Sequence, residues 1–199
     1  MSYEGRAVLE LHGRAMRHSV VIVAMIHDDQ WDAPTPCARW TVRELLTHMT
    51  TENRGFAAAA AGETESRDGW VDRPAGDDPR RDYAESADLV VAAFAAAASE
   101  FWLPNIDETS RFPAKQAIGF HLLDYVVHSW DVAAALGRTI ALEPDLVAAA
   151  QKVAAEDVPN GERRHRPNAG FQPAVEGAKD PDPLRNLLAF LGRDPDWKP

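Results

Sequence analysis

The sequence has one cysteine, no long apolar run and fewer basic than acidic residues. Among 199 residues only Cys37 carries a thiol, which excludes an intrachain disulfide and a cysteine-rich metal site. No apolar stretch approaches the roughly 20 residues that cross a bilayer. Residues 1–6 lack the basic start and apolar core of a secretion signal. We therefore expect a cytoplasmic protein in which histidine and carboxylate side chains hold any metal.

The charge balance excludes two further classes of binding partner. The chain carries 31 acidic against 21 basic residues, a formal net charge of -10. Such a surface is repelled by a phosphate backbone and by anionic lipid, so we expect neither a nucleic-acid nor a membrane partner. With 45% hydrophobic residues, the chain can bury a core of ordinary size. We predict one domain spanning residues 1–199.

Helical periodicity dominates the pattern of apolar residues. Thr41, followed three residues later by Glu44, has the spacing of a capping box at a helix start, and Gly137 is a helix-ending glycine. No stretch alternates over enough residues to demand a sheet. We predict an all-α four-helix bundle over about residues 4–137, with a short helical tail over 138–199. The predicted helices cover about 4–27, 42–61, 83–102 and 114–136, then 144–155 and 182–191; residues 31–40, 63–81 and 160–173 are predicted loops.

Two of these helices carry side chains that can bind metal. His121, Asp124 and His128 fall within an arc of roughly 60° on the fourth helix. His48 lies on the second helix. One ligand from one helix and an i, i+4 pair from another form a standard metal site inside a bundle. Three protein ligands leave one coordination position of the metal open, as in catalytic sites. The Asp-x-x-x-His spacing alone, however, is more typical of an ion pair.

The neighbouring candidates have simpler interpretations. Glu44 and Glu52 share the face of His48 and are more typical of a solvated face. Asp131 could orient an imidazole or pair with a surface cation. Cys37 has no adjacent histidine and is interpreted as structural. Packing anchors are predicted at Trp31, Trp40 and Trp130, and surface or core histidines without a partner pattern at His12, His18, His27 and His165.

Several segments together resemble a known family. They are PTPC at 34–37, WTVRELLTH at 40–48, EN at 52–53 and VHSWDVA at 127–133 followed by Gly137. This set is similar to the signatures of the DinB superfamily branch that includes the mycothiol-dependent maleylpyruvate isomerase N-terminal domain. The segment LAFLGRDP at 188–195 resembles the tail of an actinobacterial subgroup of metal-binding proteins.

The resemblance implies a DinB-like four-helix bundle holding a divalent metal, commonly zinc or nickel. The matching ligand positions are His48, Asp124 and His128. Aspartate stands at 124 where relatives have histidine or glutamate, so His121 is an alternative third ligand. The isomerase also has a second, C-terminal domain, which we do not expect here.

The implied function is a metal-dependent thiol S-transferase or isomerase. Its cofactor would be a small thiol such as mycothiol, and its substrate a small electrophile. A metal-dependent hydrolase with Glu52 or His121 as base stays open, as does a non-catalytic metal-binding bundle. The helices would also permit a homodimer.

Overall fold

The protein is described by a computed structural model covering residues 3–37, 40–74, 76–159, 161–166, 169–176 and 180–199. Parts of all three predicted loops, at 38–39, 75, 160 and 167–168, lie outside these residues. The described chain forms six α-helices, which confirms the all-α bundle: α1 Tyr3–Val23, α2 Val42–Ala60, α3 Pro79–Ala95, α4 Ala114–Ala135, α5 Pro144–Asp157 and α6 Pro183–Phe190. None of the helices in the described ranges is long and apolar enough to cross a bilayer.

Local signals set the ends of the helices that carry the candidate site. The Thr41 hydroxyl accepts from the Glu44 backbone N–H at 3.3 Å, and the Glu44 carboxylate accepts from the Thr41 backbone N–H at 2.8 Å. This confirms the capping box at the start of α2. At the end of α4, Gly137 adopts a φ of 65°, as a helix-ending glycine does.

The third helix differs from its prediction at both ends. It begins at Pro79, because Asp78 caps it and proline suits the first helical position. It ends at Ala95 rather than near 102, since Glu100–Trp102 (β1) pairs antiparallel with Arg111–Pro113 (β2). The hairpin buries Phe101 completely while Glu100 stays exposed. No alternating stretch in the sequence indicates this hairpin, in which burial of Phe101 overrides the alanine-rich helical pattern.

Four helices form the bundle and two pack onto it. Helix α1 packs chiefly on α4 and α2 on α3, while contacts of α1 with α3 and of α2 with α4 close the arrangement. In the tail, α5 packs on α4 and α6 packs on α5. Helix α4 is buried over most of its circumference, so its polar residues His121, His128, Ser129 and Asp131 lie inside the protein. The Tyr125 hydroxyl donates to the Met49 carbonyl, which fixes α4 against α2 beside the site.

Candidate metal centre

His48 on α2 and Asp124 and His128 on α4 lie close together in the structure. One ligand atom from each lies within 4.8 Å of the others. The Nε2 atom of His128 is 3.4 Å from the nearer Asp124 oxygen. Two ligands bound tetrahedrally to zinc at about 2.0–2.1 Å would stand about 3.3 Å apart. Two nitrogens and one oxygen form a donor set that suits zinc or nickel, so these residues fit a divalent metal.

The other nitrogen of His128 is held by Asp131. His128 Nδ1–H donates to Asp131 Oδ2 at 2.9 Å, and both side chains are buried. Burial by itself raises the pKa of Asp131, but the charge of Arg193 and the His128 hydrogen bond outweigh it and lower the pKa to about 2. Asp131 therefore orients the imidazole, one of its two predicted roles. The cation it pairs with is buried Arg193 rather than a surface residue.

Carboxylates face His128 on both sides. Burial alone would lower its pKa, yet the charge of Asp124 and the hydrogen bond to Asp131 raise that pKa well above its usual value. Without a metal, His128 thus carries a proton between Asp124 and Asp131, which is the ion pair that the spacing also allowed. A cation bound by the three ligand atoms would replace that proton on Nε2.

Trp40 covers one side of the site. Its ring stacks on His48 with centroids 4.5 Å apart and planes 30° apart, and His48 meets His128 edge-on at 5.5 Å. Trp40 therefore has the packing role predicted for it, and the side chain it packs against is the candidate ligand His48. An aromatic ring stacked on an imidazole restricts its rotation, which helps to hold His48 towards Asp124 and His128.

Glu52 does not lie on a solvated face, so that prediction is wrong. The Asn105 amide donates to its carboxylate at 3.0 Å, and its side chain is only partly accessible. Burial, and then the charge of Asp124, raise its pKa to about 8. Asn105 lies on a loop 53 residues away along the chain, and no signal near Glu52 foretells this contact. Glu44, in contrast, is exposed as predicted.

His121 stands apart from the three ligands. In the described residues, neither cluster of three metal-capable side chains includes it. Its Nδ1 is hydrogen-bonded to His12 Nε2 at 3.0 Å, its ring stacks on Tyr125 at 4.2 Å, and its buried Nε2 has no hydrogen-bond partner. Burial lowers the pKa of His12 to about 3 and that of His121 well below its usual value. This geometry disfavours His121 as third ligand and gives His12 a partner that the sequence did not indicate.

The second cluster consists of Cys37, His128 and Asp131. The Cys37 thiol donates to Asp131 at 3.3 Å and accepts from the Arg193 guanidinium at 3.0 Å. Cys37 has no histidine beside it in sequence, but the fold brings it next to one. Since Arg193 already supplies positive charge to this cluster, we assign no metal there.

Comparison with known proteins identifies the family of this chain. The family model described as the mycothiol maleylpyruvate isomerase N-terminal domain matches residues 13–133, a range that includes the three candidate ligands. The chain belongs to this family.

Relatives of this chain include two proteins from Mycobacterium tuberculosis. They are uncharacterized protein MT0763 (strain CDC 1551 / Oshkosh) and uncharacterized protein Rv0738 (strain ATCC 25618 / H37Rv). Each is 31% identical over 188 residues, covering 93% of this chain and 97% of the relative. No solved structure gives a significant match. The similarity to these relatives thus extends past residue 133 into the C-terminal tail.

Proposed function

We propose that this protein binds one zinc or nickel ion through His48, Asp124 and His128. It would use the metal as a thiol S-transferase or isomerase, with a small thiol such as mycothiol and a small electrophilic substrate. The observation that carries the proposal is the meeting of three ligand atoms within 4.8 Å, in a chain of a mycothiol-linked family. Three protein ligands leave one tetrahedral position for the thiol.

The bound metal would act as a Lewis acid that lowers the pKa of a thiol at the open position. In a transfer, the thiol sulfur forms a bond to an electrophilic carbon, and the leaving group departs with the bonding electrons. In an isomerisation, the sulfur adds to the substrate and is expelled again, which regenerates the thiol. Both reactions need a base that takes the thiol proton.

Glu52 is the residue we propose for that base. Its carboxyl lies close enough to Asp124 and His128 for their charges to act on its pKa, which is raised to about 8. A base with a pKa near the working pH transfers protons efficiently in both directions. Asn105 fixes the carboxyl through its hydrogen bond, while Asp131 keeps Nε2 of His128 directed at Asp124.

Elemental analysis tests the metal site. We expect about one zinc or nickel per chain after purification without chelators, and loss of most of it in His48→Ala and His128→Ala. His27→Ala, which removes an exposed histidine, is the matched control and should keep the metal. A wild-type protein that holds no metal and cannot be loaded would refute the proposal and support a non-catalytic bundle.

A conjugation assay tests the chemistry. Metal-loaded protein, mycothiol and a fluorogenic alkyl halide should give thioether product faster than the same mixture with His128→Ala. The raised pKa of Glu52 also favours a second candidate, a metal-dependent hydrolase in which water replaces the thiol. Ester or amide turnover without any thiol would identify the hydrolase, and unchanged conjugation by His128→Ala would contradict the transferase.

A further inference from the structure

The C-terminal tail returns to the candidate metal centre through one tight turn. After α6, Gly192 adopts a φ of 81°, and its N–H donates to the Ala189 carbonyl at 3.1 Å. The Arg193 N–H donates to the Leu188 carbonyl at 2.9 Å, which completes a Schellman motif. A Cβ at position 192 would lie 2.7 Å from the Gln172 carbonyl oxygen, so the turn requires glycine. This turn directs Arg193 into the protein.

The Arg193 side chain is buried, with 5% of its surface exposed, and it grips a carboxylate that is wholly buried. Its Nη2 donates to Asp131 Oδ2 at 3.1 Å, and its Nε is 3.4 Å from Oδ1. The guanidinium also bonds the Cys37 sulfur at 3.0 Å and the Leu191 carbonyl at 3.3 Å, and lies over the Phe171 ring. A planar fork held at several points can fix the plane of the carboxylate it binds.

The same carboxylate oxygen joins Arg193 to His128. Asp131 Oδ2 receives both the Arg193 Nη2–H and the His128 Nδ1–H, the latter at 2.9 Å. Nε2 of that imidazole is the atom facing Asp124. Fixing Asp131 therefore fixes the ring angle of His128. Partners that orient a ligand histidine are commonly worth a factor of about 10–100 in metal affinity.

We propose that Arg193 is a positioning residue that, through Asp131, holds the His128 ring with Nε2 directed at His48 and Asp124. This inference rests on the proposed metal site. It assigns the C-terminal tail a role in positioning a ligand of that site, although Arg193 lies beyond the residues 13–133 that match the family. A guanidinium suits this role because an ammonium group cannot present two parallel donors to one carboxylate.

Metal affinity is the first test. Arg193→Met should raise the dissociation constant for zinc by about 10–100-fold, measured by competition with a chromogenic chelator, while helical circular dichroism is retained. Arg193→Lys should recover part of that loss. Arg185→Met is the matched control: it removes an arginine of the same tail that bonds Asp180, Asp196 and the Pro195 carbonyl, and it should bind zinc like wild type.

Nuclear magnetic resonance of the metal-free protein is the second test. The buried His128 Nδ1–H should give a slowly exchanging imidazole signal, assigned by its absence from His128→Gln. We expect this signal to be shifted or lost in Arg193→Met and unchanged in Arg185→Met. The readout needs no metal, so it decides the positioning role even if the wild-type protein binds none and the proposed function fails.

Two results would overturn the inference. The first is a folded Arg193→Met protein with wild-type zinc affinity and an unchanged His128 signal. The second applies if Arg193→Met does not fold: an Arg193→Lys protein with unchanged zinc affinity and an unchanged His128 signal would refute the need for the guanidinium fork. A weakened zinc affinity with a shifted His128 signal in Arg193→Lys would support it.

Discussion

Replacing both His12 and His121 by leucine should make the metal-free protein more resistant to acid. Both imidazoles are buried, and burial lowers the pKa of His12 to about 3 and that of His121 well below its usual value. The unfolded chain binds protons on both below about pH 6.5, whereas the folded chain does not. The pair therefore weakens the wild-type fold as the pH falls from about 6.5 towards 3.

The size of the effect follows from linkage. Each histidine costs about 1.4 kcal/mol of unfolding free energy per pH unit below its unfolded pKa, so the pair costs about 4 kcal/mol at about pH 5. Near pH 7.5 both histidines are neutral in both states, and the stability of the variants depends instead on whether a buried ring nitrogen keeps its hydrogen-bond partner. His12→Leu alone removes the partner of His121 Nδ1 and leaves that buried nitrogen unpaired, which costs about 1–3 kcal/mol. The double variant removes both partners and should be closer to neutral.

Urea unfolding in the presence of a chelator, monitored by circular dichroism, measures both the pH-dependent cost of the two histidines and the cost of the unpaired ring nitrogen. The stability difference between wild type and the double variant should move in favour of the variant as the pH falls. Glu52, whose raised pKa acts in the opposite direction, is present in both proteins and cancels. A difference that is equal at about pH 7.5 and about pH 5 would refute the reasoning.

His121→Leu should also keep its metal, and losing it would make His121 the third ligand.

Two further substitutions test other parts of the argument. Thr41→Ala removes the hydroxyl of the capping box and should lower the free energy of unfolding by about 1 kcal/mol in urea melts, without changing metal stoichiometry. Glu52→Gln should stabilise the metal-free protein at about pH 8, because there Glu52 ionises freely in the unfolded wild-type chain but only at a cost in the folded one. The gain should shrink as the pH falls through about 4.5, below which Glu52 is protonated in both states. A gain independent of pH would contradict the raised pKa of Glu52.

Several features of the site were predictable because their signals are local. The capping box needs only Thr41 and Glu44, three residues apart, and it is found as expected. Asp124 and His128 share a helix face by geometry alone. The position of His48 beside them depended on the family resemblance, since spacing within one helix says nothing about which other helix lies opposite.

The environment of these residues was not predictable, because it depends on contacts between distant segments. Glu52 has the spacing of a surface residue on α2, yet the loop after β1 brings Asn105 to it. His12 and His121 are 109 positions apart, and Arg193 and Asp131 are 62 apart. No periodicity records such pairs.

The sequence by itself determined the helices, their caps and the metal-capable face of α4, because turns and helix periodicity act over a few residues. Tertiary structure alone decided which histidine lies in the core and which faces Asp124, that Phe101 joins a hairpin, and that Arg193 reaches Asp131. Burial creates those differences: a carboxylate or imidazole removed from water takes its properties from whatever packs against it.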